Sequence, residues 1–249
     1  MQINFDEVRK NYNNESSKLG KICNLYQYDL KNNVEALDYC LTKRKIFMES
    51  IDKFCIGYGS GEDKLLKFFN LNSIDSNTED FKIFCERIIF PNFDVFGGVV
   101  GFTGRVWNKD EKLYKYINSH SSDIYQKSLV IYGLYQALPA IKELGYVFLV
   151  EGNIDVVMCH QFGITTAVCP GSTSFTKEQA LLLSLFTDKI VCCFDSDVAG
   201  VKSATKVDNL CKELNLQFYN LKLSGAKDTD EFLNKYGVEP IKEVIVNLW

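Results

Sequence analysis

The stretch Ile190-Val191-Cys192-Cys193-Phe194 is an unbroken apolar run that leads directly into Asp195-Ser196-Asp197. Short apolar runs with little alternation are typical of strands that are buried on both faces, as in parallel sheets. Two further runs share this pattern: Val147–Val150 before Glu151, and Gln217–Leu223 before Asp228 and Asp230. The three runs predict neighbouring strands of a mostly parallel sheet.

Acidic residues follow each of these predicted strands. Open parallel sheets bind ligands beyond the carboxyl ends of their strands, so we expect the acids to meet in one small volume. Two carboxylates about 4 Å apart repel by roughly 4 kcal/mol at an effective dielectric near 20, and such a cluster favours bound cations. Mg²⁺ prefers oxygen ligands and accompanies phosphate chemistry. The pattern therefore indicates phosphoryl chemistry, with helix capping or an exposed turn as the alternative role for each acid.

The length and composition set the size and class of the molecule. A chain of 249 residues with 46% hydrophobic content can bury a core in one large domain or two small ones. No stretch approaches the roughly 18 apolar residues of a membrane span. The segment Met1–Asp6 lacks the basic-then-apolar pattern of a signal peptide. We expect a cytoplasmic protein with no membrane partner.

The chain has nine cysteines and two histidines, with no C-x-x-C pair. A tetrahedral zinc site needs four clustered ligands, usually in closely spaced pairs. The sequence therefore predicts no zinc in this chain. The cysteines are expected to be small, reduced core residues.

The formal net charge of −4 is unevenly distributed. Residues 1–145 carry 19 basic and 19 acidic side chains, whereas residues 146–249 carry 9 and 13. Without the six acids of the proposed cluster, the second half would have a net charge of +2. The acidity belongs largely to the candidate site, so the net charge does not exclude a polyanionic ligand.

The predicted fold class is α/β, with an α+β part at residues 1–145 and an α/β domain with a mostly parallel sheet at residues 146–249. The first 75 residues are expected to be mainly helical, with solvated turns at the asparagine-rich segments 11–14 and 31–33. Residues 86–107 predict a hairpin in which Pro91 ends the first strand. Beyond residue 146, strands alternate with helices at 154–162, 176–186, 198–214 and 229–236.

Three motifs of the second half together resemble the Toprim domain: Glu151-Gly152-Asn153-Ile154-Asp155, Phe194-Asp195-Ser196-Asp197 and Lys227–Leu233. Topoisomerases, certain nucleases, recombination mediators and bacterial primases share that domain. The first half resembles the polymerase domain of DnaG-type primases in the order and spacing of Leu41–Tyr58, Arg87–Pro91, Gly101–Val106, Lys115–Ser119, Lys127 and Tyr132–Tyr135. The resemblance covers about residues 35–237 and points to a compact primase core from a phage or mobile element.

This resemblance implies a catalytic site that uses two or more Mg²⁺ or Mn²⁺ ions. Glu151, Asp195 and Asp197 would be the catalytic, metal-holding acids, and Asp155, Asp228 and Asp230 would support them at the metal site. Glu151 could alternatively act as a general base. The expected activity is the synthesis of short RNA primers from ribonucleoside triphosphates on single-stranded DNA.

The resemblance also implies a basic ridge in the first half that guides the template. The matching nucleic-acid-binding and nucleotide-binding positions are Arg44, Arg105, Lys115, Tyr116, Asn118 and Lys127. Phosphate neutralisation and base stacking would bind the strand there, with Trp107 as a second stacking candidate. A replicative helicase and a separate zinc-binding module are expected as further partners.

Two alternatives remain open from the sequence. A Toprim-type nuclease would use the same acids to hydrolyse nucleic acid, and a non-catalytic primase-like module would bind DNA or a replication protein without chemistry. The turn at residues 171–174 is a weaker candidate for phosphate binding at a helix N-terminus.

Overall fold

The computed structural model of the protein describes residues 5–74, 78–108, 113–171 and 174–248, and the side chains from residue 9 onward. The chain divides into two compact units, Met1–Gln126 and Lys127–Trp249. Within the described ranges, no helix has both the length and the apolar character needed to cross a bilayer.

The first unit combines helices with an antiparallel sheet. Its helical segments are α1 (Phe5–Lys31), α2 (Val34–Asp38), a π-helical turn (Tyr39–Lys43), α3 (Met48–Lys53), α4 (Glu62–Leu71) and α5 (Glu79–Lys82). Its strands are β1 (Gly57–Tyr58), β2 (Arg87–Phe93), β3 (Val99–Val106) and β4 (Tyr116–Asn118), paired in the order β1-β2-β3-β4. The predicted hairpin is confirmed as β2 and β3, in which Arg87 pairs with Val106.

Pro91 does not end its strand, contrary to the prediction, because β2 continues to Phe93. The strand β1 pairs with Ile88 and Ile89, and no other described strand pairs with that edge of β2 beyond Ile89. A proline is tolerated beside an open edge because no ladder hydrogen bond is required there.

The turn predicted at residues 11–14 was also wrong, since these asparagines lie inside α1. Asn11, Asn13 and Asn14 are exposed, whereas Leu19 and Ile22, further along the same helix, are buried in the core. A long amphipathic helix gains more from packing its apolar side than it loses through a few poor helix formers on its exposed side. The predicted break at residues 31–33 is confirmed.

The core of the first unit lies between α1 and the sheet. Tyr26 of α1 packs edge-on against Phe102 of β3, with ring centroids 5.3 Å apart. Gly57 permits the close approach of β1, because a Cβ atom there would lie 2.5 Å from the Cβ of Tyr26. Ile22, Phe84 and Ile89 complete the centre of this core.

The second unit is a five-stranded sheet covered by helices. Its strands are β5 (Ile131–Tyr132), β6 (Val147–Leu149), β7 (Ala167–Pro170), β8 (Lys189–Cys192) and β9 (Gln217–Asn220). Its helices are α6 (Leu134–Leu144), α7 (Asn153–Gln161), α8 (Lys177–Ser184), α9 (Val198–Glu213), α10 (Thr229–Tyr236) and α11 (Glu239–Val246). The strand order is β5-β7-β6-β8-β9; β5 is antiparallel to β7, and the other pairs are parallel. The predicted mostly parallel sheet is confirmed.

The strands differ in burial. All residues of β6 and β7, and Ile190 to Cys192 of β8, are buried, as expected for a sheet covered on both faces. The third predicted run is less buried, because β9 lies at the edge of the sheet, where β8 is its one neighbour among the described strands. Seven of the nine cysteines are buried free thiols, and Cys55 and Cys85 are half-buried free thiols.

The division between the units falls earlier in the chain than the boundary predicted near residue 145. β5 pairs with β7, and α6 also contacts β7, so residues 131–144 pack with the second unit.

Candidate active site

Three neighbouring strands of the second unit deliver the predicted acids to one edge of the sheet. Glu151 follows β6, Asp195 and Asp197 follow β8, and Asp228 follows β9. Asp155 and Asp230 lie in the first turns of α7 and α10, which pack against each other. The carboxyl ends of parallel strands meet at the same edge, which is why residues so distant in sequence become neighbours.

Backbone hydrogen bonds tie the acidic loops together. The N–H of Asp195 donates to Oε1 of Glu151 over 3.0 Å, and the N–H of Asp230 donates to Oδ1 of Asp155 over 3.1 Å. The N–H of Ser196 donates to the carbonyl of Lys227 over 3.4 Å. Each loop is therefore positioned by its neighbour.

Two of the acids also cap helices, the alternative role that the sequence left open. Oδ1 of Asp197 accepts the N–H of Gly200 over 2.8 Å at the start of α9. Oδ1 of Asp228 accepts the N–H of Glu231 over 2.8 Å at the start of α10. Capping engages one carboxylate oxygen, so it is compatible with a further role for the other oxygen.

Burial and the neighbouring carboxylates raise the pKa values of several of these acids. Burial, followed by the charges of Glu151, Asp228 and Asp197, raises the pKa of Asp195 to about 6. Burial, with smaller contributions from Asp197 and Asp228, likewise raises the pKa of Glu151. Burial raises the pKa of Asp155 to about 7. The cluster holds negative charge at a cost that a bound cation would relieve.

The side chains suit a hard divalent cation by their chemistry. Carboxylate oxygens are the ligands that Mg²⁺ and Mn²⁺ prefer. Among the described residues, no three such side chains are arranged around a common point. Gly200 keeps the start of α9 close to the acids, because a Cβ atom there would lie 2.8 Å from Oε1 of Glu151.

The first unit gathers four of the predicted nucleic-acid-binding residues. Arg105 of β3 is buried, donates from Nη1 to the hydroxyl of Tyr116 and lies over that ring, with Cζ 4.9 Å from the centroid. Nζ of Lys115 lies 5.8 Å from the same centroid. Nε of Arg105 and Nε of Arg44 donate to one hydroxyl, that of Tyr39, over 3.1 and 2.8 Å. Sequence reasoning missed Tyr39.

Burial opposes the charge on Arg105, but the oxygens of Tyr116 and Tyr39 outweigh this effect and raise the pKa of its guanidinium. Arg105 therefore stays cationic inside the fold. The remaining stacking candidate, Trp107, packs against the rings of Tyr39 and Tyr58, with centroids 6.0 and 6.2 Å away.

Asn118 and Lys127 have no described hydrogen bond or ring contact with Arg44, Arg105 or Tyr116. Oδ1 of Asn118 accepts a hydrogen bond from Thr103 over 2.7 Å, and Thr103 in turn accepts one from Asn92 over 3.2 Å. This network links β4, β3 and β2. Lys127 is an exposed residue of the second unit. In the candidate phosphate-binding turn, Ser172 and Thr173 lie outside the described residues.

Two protein families match this chain. The family described as "DNA primase catalytic core, N-terminal domain" matches residues 25–138, and the family described as "Toprim-like" matches residues 148–233. The first match ends at residue 138 and the second begins at residue 148, on either side of the boundary predicted near residue 145.

Individual relatives match nearly the whole chain. The DNA primase of Aquifex aeolicus is 33% identical over 239 residues, which are 91% of this chain and 48% of that protein. A crystal structure of the zinc-binding and RNA polymerase domains of the Aquifex aeolicus primase has a TM-score of 0.87 at 32% identity, and the match covers 93% of this chain and 60% of that one. A DnaG primase catalytic domain bound to single-stranded DNA has a TM-score of 0.82 at 29% identity. The match covers 97% of this chain and 82% of that one.

The parallel sheet with acids along its carboxyl edge therefore defines the second unit as a Toprim-like domain. With the match of the first half added, the chain belongs to the DnaG family of DNA primase catalytic cores. It spans about half the length of the curated relatives that it matches. Family membership implies the use of divalent metal ions.

Proposed function

We propose that this chain is the catalytic core of a primase, which joins ribonucleoside triphosphates into short RNA primers on single-stranded DNA. The observation that carries the proposal is the acidic edge of β6, β8 and β9 in a chain of the DnaG family. The mutual repulsion of those acids supports cation binding at that edge.

In this proposal Glu151, Asp195 and Asp197 hold two or more Mg²⁺ or Mn²⁺ ions. When bound, such ions stabilise the attacking 3′ oxygen and the leaving pyrophosphate of nucleotidyl transfer. The other three acids, Asp155, Asp228 and Asp230, act in support. Asp155 holds the start of α10 through the N–H of Asp230, and Asp228 caps that helix.

Template binding is assigned to Arg44, Arg105, Lys115, Tyr116, Asn118 and Lys127. The cluster of Arg44, Arg105 and Tyr116 supports this assignment, because two guanidinium groups and an aromatic ring together suit phosphate and base contacts. The related DnaG domain bound to single-stranded DNA supports the choice of ligand.

Several broader features belong to the same proposal. A separate zinc-binding module would act with this core, as the zinc-binding domain of the Aquifex aeolicus primase suggests. A replicative helicase is the second proposed partner, and the cytoplasm is the proposed location. The functional boundary is proposed near residue 145, between the two matched families.

The direct test is primer synthesis by the purified chain on single-stranded oligonucleotides with labelled ribonucleotides and Mg²⁺ or Mn²⁺, with and without an added zinc module. Asp195→Asn should reduce synthesis by more than roughly 100-fold, because supporting residues of metal sites already contribute 10- to 100-fold. Glu178→Gln, at an exposed acid on α8, is the matched control and should retain activity.

Undiminished synthesis by Asp195→Asn would contradict the assignment of the acids. Cleavage of the labelled strand without ribonucleotides would instead favour a nuclease. Firm DNA binding with no Mn²⁺ binding by calorimetry would favour a non-catalytic module.

A further inference from the structure

One phenolic oxygen in the first unit accepts hydrogen bonds from two arginines. Nε of Arg44 lies 2.8 Å from the hydroxyl of Tyr39, and Nε of Arg105 lies 3.1 Å from the same atom. The two arginines come from different parts of the first unit, since Arg44 directly follows the π-helical turn and Arg105 lies on β3. A phenolic oxygen has two lone pairs, and both are used here by cationic donors.

The π-helical turn explains how Arg44 reaches Tyr39. The N–H of Arg44 donates to the carbonyl of Tyr39 over 3.0 Å, five residues back along the chain. This spacing places Cζ of Arg44 5.5 Å from the centroid of the Tyr39 ring. In a regular α-helix, residues five apart point in different directions and do not face each other. Isolated π-turns are rare and occur frequently at functional sites.

The charge of Arg105 indicates what this arrangement is suited to bind. Arg105 is 6% exposed, and buried charges are normally paired with an opposite charge. Its described partners are the neutral phenols of Tyr39 and Tyr116, and no carboxylate among the described residues pairs with it. Arg44 brings a second positive charge to the same oxygen. The buried charge of Arg105, which pairs with no described carboxylate and has a second arginine on the same oxygen, favours an anion as its ligand.

The hydrogen bonds also set the orientation of both guanidinium groups. Each group has five N–H donors in a planar fork. Arg105 is held at two points, Nε on Tyr39 and Nη1 on Tyr116, which together set its plane, and the Nε bond of Arg44 to Tyr39 restricts the direction of its remaining donors. A phosphate bound in two-point geometry depends on that plane. Tyr39 itself is 7% exposed, so its ring is held by packing and its hydroxyl is a fixed reference point.

We propose that Tyr39 is a positioning residue that holds Arg44 and Arg105 together as one binding site for a phosphate of the template strand. This inference rests on the proposed function, in which these arginines contact the template. Tyr39 acts through them and does not take part in the chemistry at the acidic edge.

The test compares Tyr39→Phe with the wild-type protein in binding of a fluorescent single-stranded oligonucleotide over a range of salt concentrations. The variant keeps the ring and loses only the acceptor. We expect about tenfold weaker binding, equivalent to about 1.4 kcal/mol. The slope of log affinity against log salt should become shallower by about 1, the loss of one phosphate contact. In primer synthesis, KM for the template should rise while kcat stays unchanged.

Two further variants separate positioning from simple packing. Tyr58→Phe is the matched control, because the Tyr58 ring also contacts Trp107, and this variant should bind like the wild type. In a background of Arg44→Ala with Arg105→Ala, Tyr39→Phe should cause no further loss of affinity. An equal loss in both backgrounds would show a structural role and overturn the inference.

The remaining outcomes distinguish this inference from the proposed function. If the double arginine variant binds DNA poorly but Tyr39→Phe binds like the wild type, the positioning role is overturned and the template site stands. If the arginine variant binds normally, both the template site and the positioning role are overturned. If the wild type makes no primer yet its DNA binding depends on Tyr39 as described, the inference stands and the catalytic proposal fails.

Discussion

Single residues of the acidic edge have protonation states that depend on the fold. Burial raises the pKa of Asp155 to about 7, and burial with neighbouring acids raises that of Asp195 to about 6. Both carboxyl groups hold protons in the folded protein at pH values where the unfolded chain has released them. The folded state therefore binds more protons across this window, and the free energy of unfolding falls as pH rises.

We accordingly expect the metal-free protein to lose stability between about pH 4 and pH 7. Asp155→Asn removes the buried carboxyl group whose pKa is raised to about 7, and the variant should be up to roughly 4 kcal/mol more stable than the wild type well above pH 7, where the wild-type carboxylate is charged. Urea unfolding at several pH values in the presence of a chelator measures this. A wild-type stability that rises with pH over the window would contradict the prediction.

The sequence revealed the acids but not their surroundings. Asp195 and Asp197 could be recognised because they directly follow an apolar run, which predicts a buried strand. Tyr39 gave no signal, since an aromatic residue beside a lysine-rich segment is ordinary. Its role depends on a π-helical turn and on a strand more than sixty residues away, and neither follows from local periodicity.

At the scale of elements, the start of α9 is the most constrained part of the site. A Cβ atom on Gly200 would lie 2.8 Å from Oε1 of Glu151 and nearer still to the carbonyl of Asp195. Gly200→Ala should therefore push α9 away from the acids and destabilise the protein by about 2 kcal/mol, as overpacking does. Primer synthesis should fall with it.

Gly20→Ala is the matched control, because Gly20 is also helical and no described residue beyond its own helix backbone and chain neighbours has an atom within 4 Å of the added Cβ. That change should stabilise the protein slightly, by about 0.5 to 1 kcal/mol, through helix propensity. Denaturant unfolding of both variants measures these changes in the free energy of unfolding. Equal effects of the two substitutions would mean that α9 is not packed as tightly as described.

Helices and strands could be predicted from the sequence where one physical effect decided the local structure. The helices and strands after residue 146 follow the predicted order because apolar runs and helical periodicity agree there. The run Gln217–Leu223 forms the predicted strand, β9, but its expected burial on both faces was wrong, because an edge position depends on strand order and leaves it partly exposed. The turn predicted at residues 11–14 was also wrong, because packing of a long helix outweighs the local preference of asparagine for turns.

At the scale of the whole molecule, we expect metal binding to stabilise the second unit and to leave the stability of the first unit unchanged. An ion that binds only the folded state at about 100 times its Kd adds about 2.7 kcal/mol of stability. Hydrogen exchange should therefore slow by up to about a hundredfold in β6, β8 and the amides of Asp195 and Gly200 when Mn²⁺ is added. The hairpin of β2 and β3 should keep its exchange rates.

Mass spectrometry of exchanged peptides, with and without Mn²⁺, measures this difference between the units. Asp195→Asn serves as the control and should show little protection. Equal protection of β2 and β6, or none in either, would contradict the location of the ions.

The two capping acids have a consequence for how mutants at this edge are interpreted. Asp197 and Asp228 each fasten the first turn of a helix with one oxygen. Alanine at either position would loosen that helix start and delete a negative charge at once, so its phenotype would mix two losses. Asparagine retains an acceptor for the helix amide, but it removes the charge and replaces the other oxygen by an NH2 group. Comparing alanine with asparagine at each position would separate the effect of losing the helix cap from the effect of losing the carboxylate.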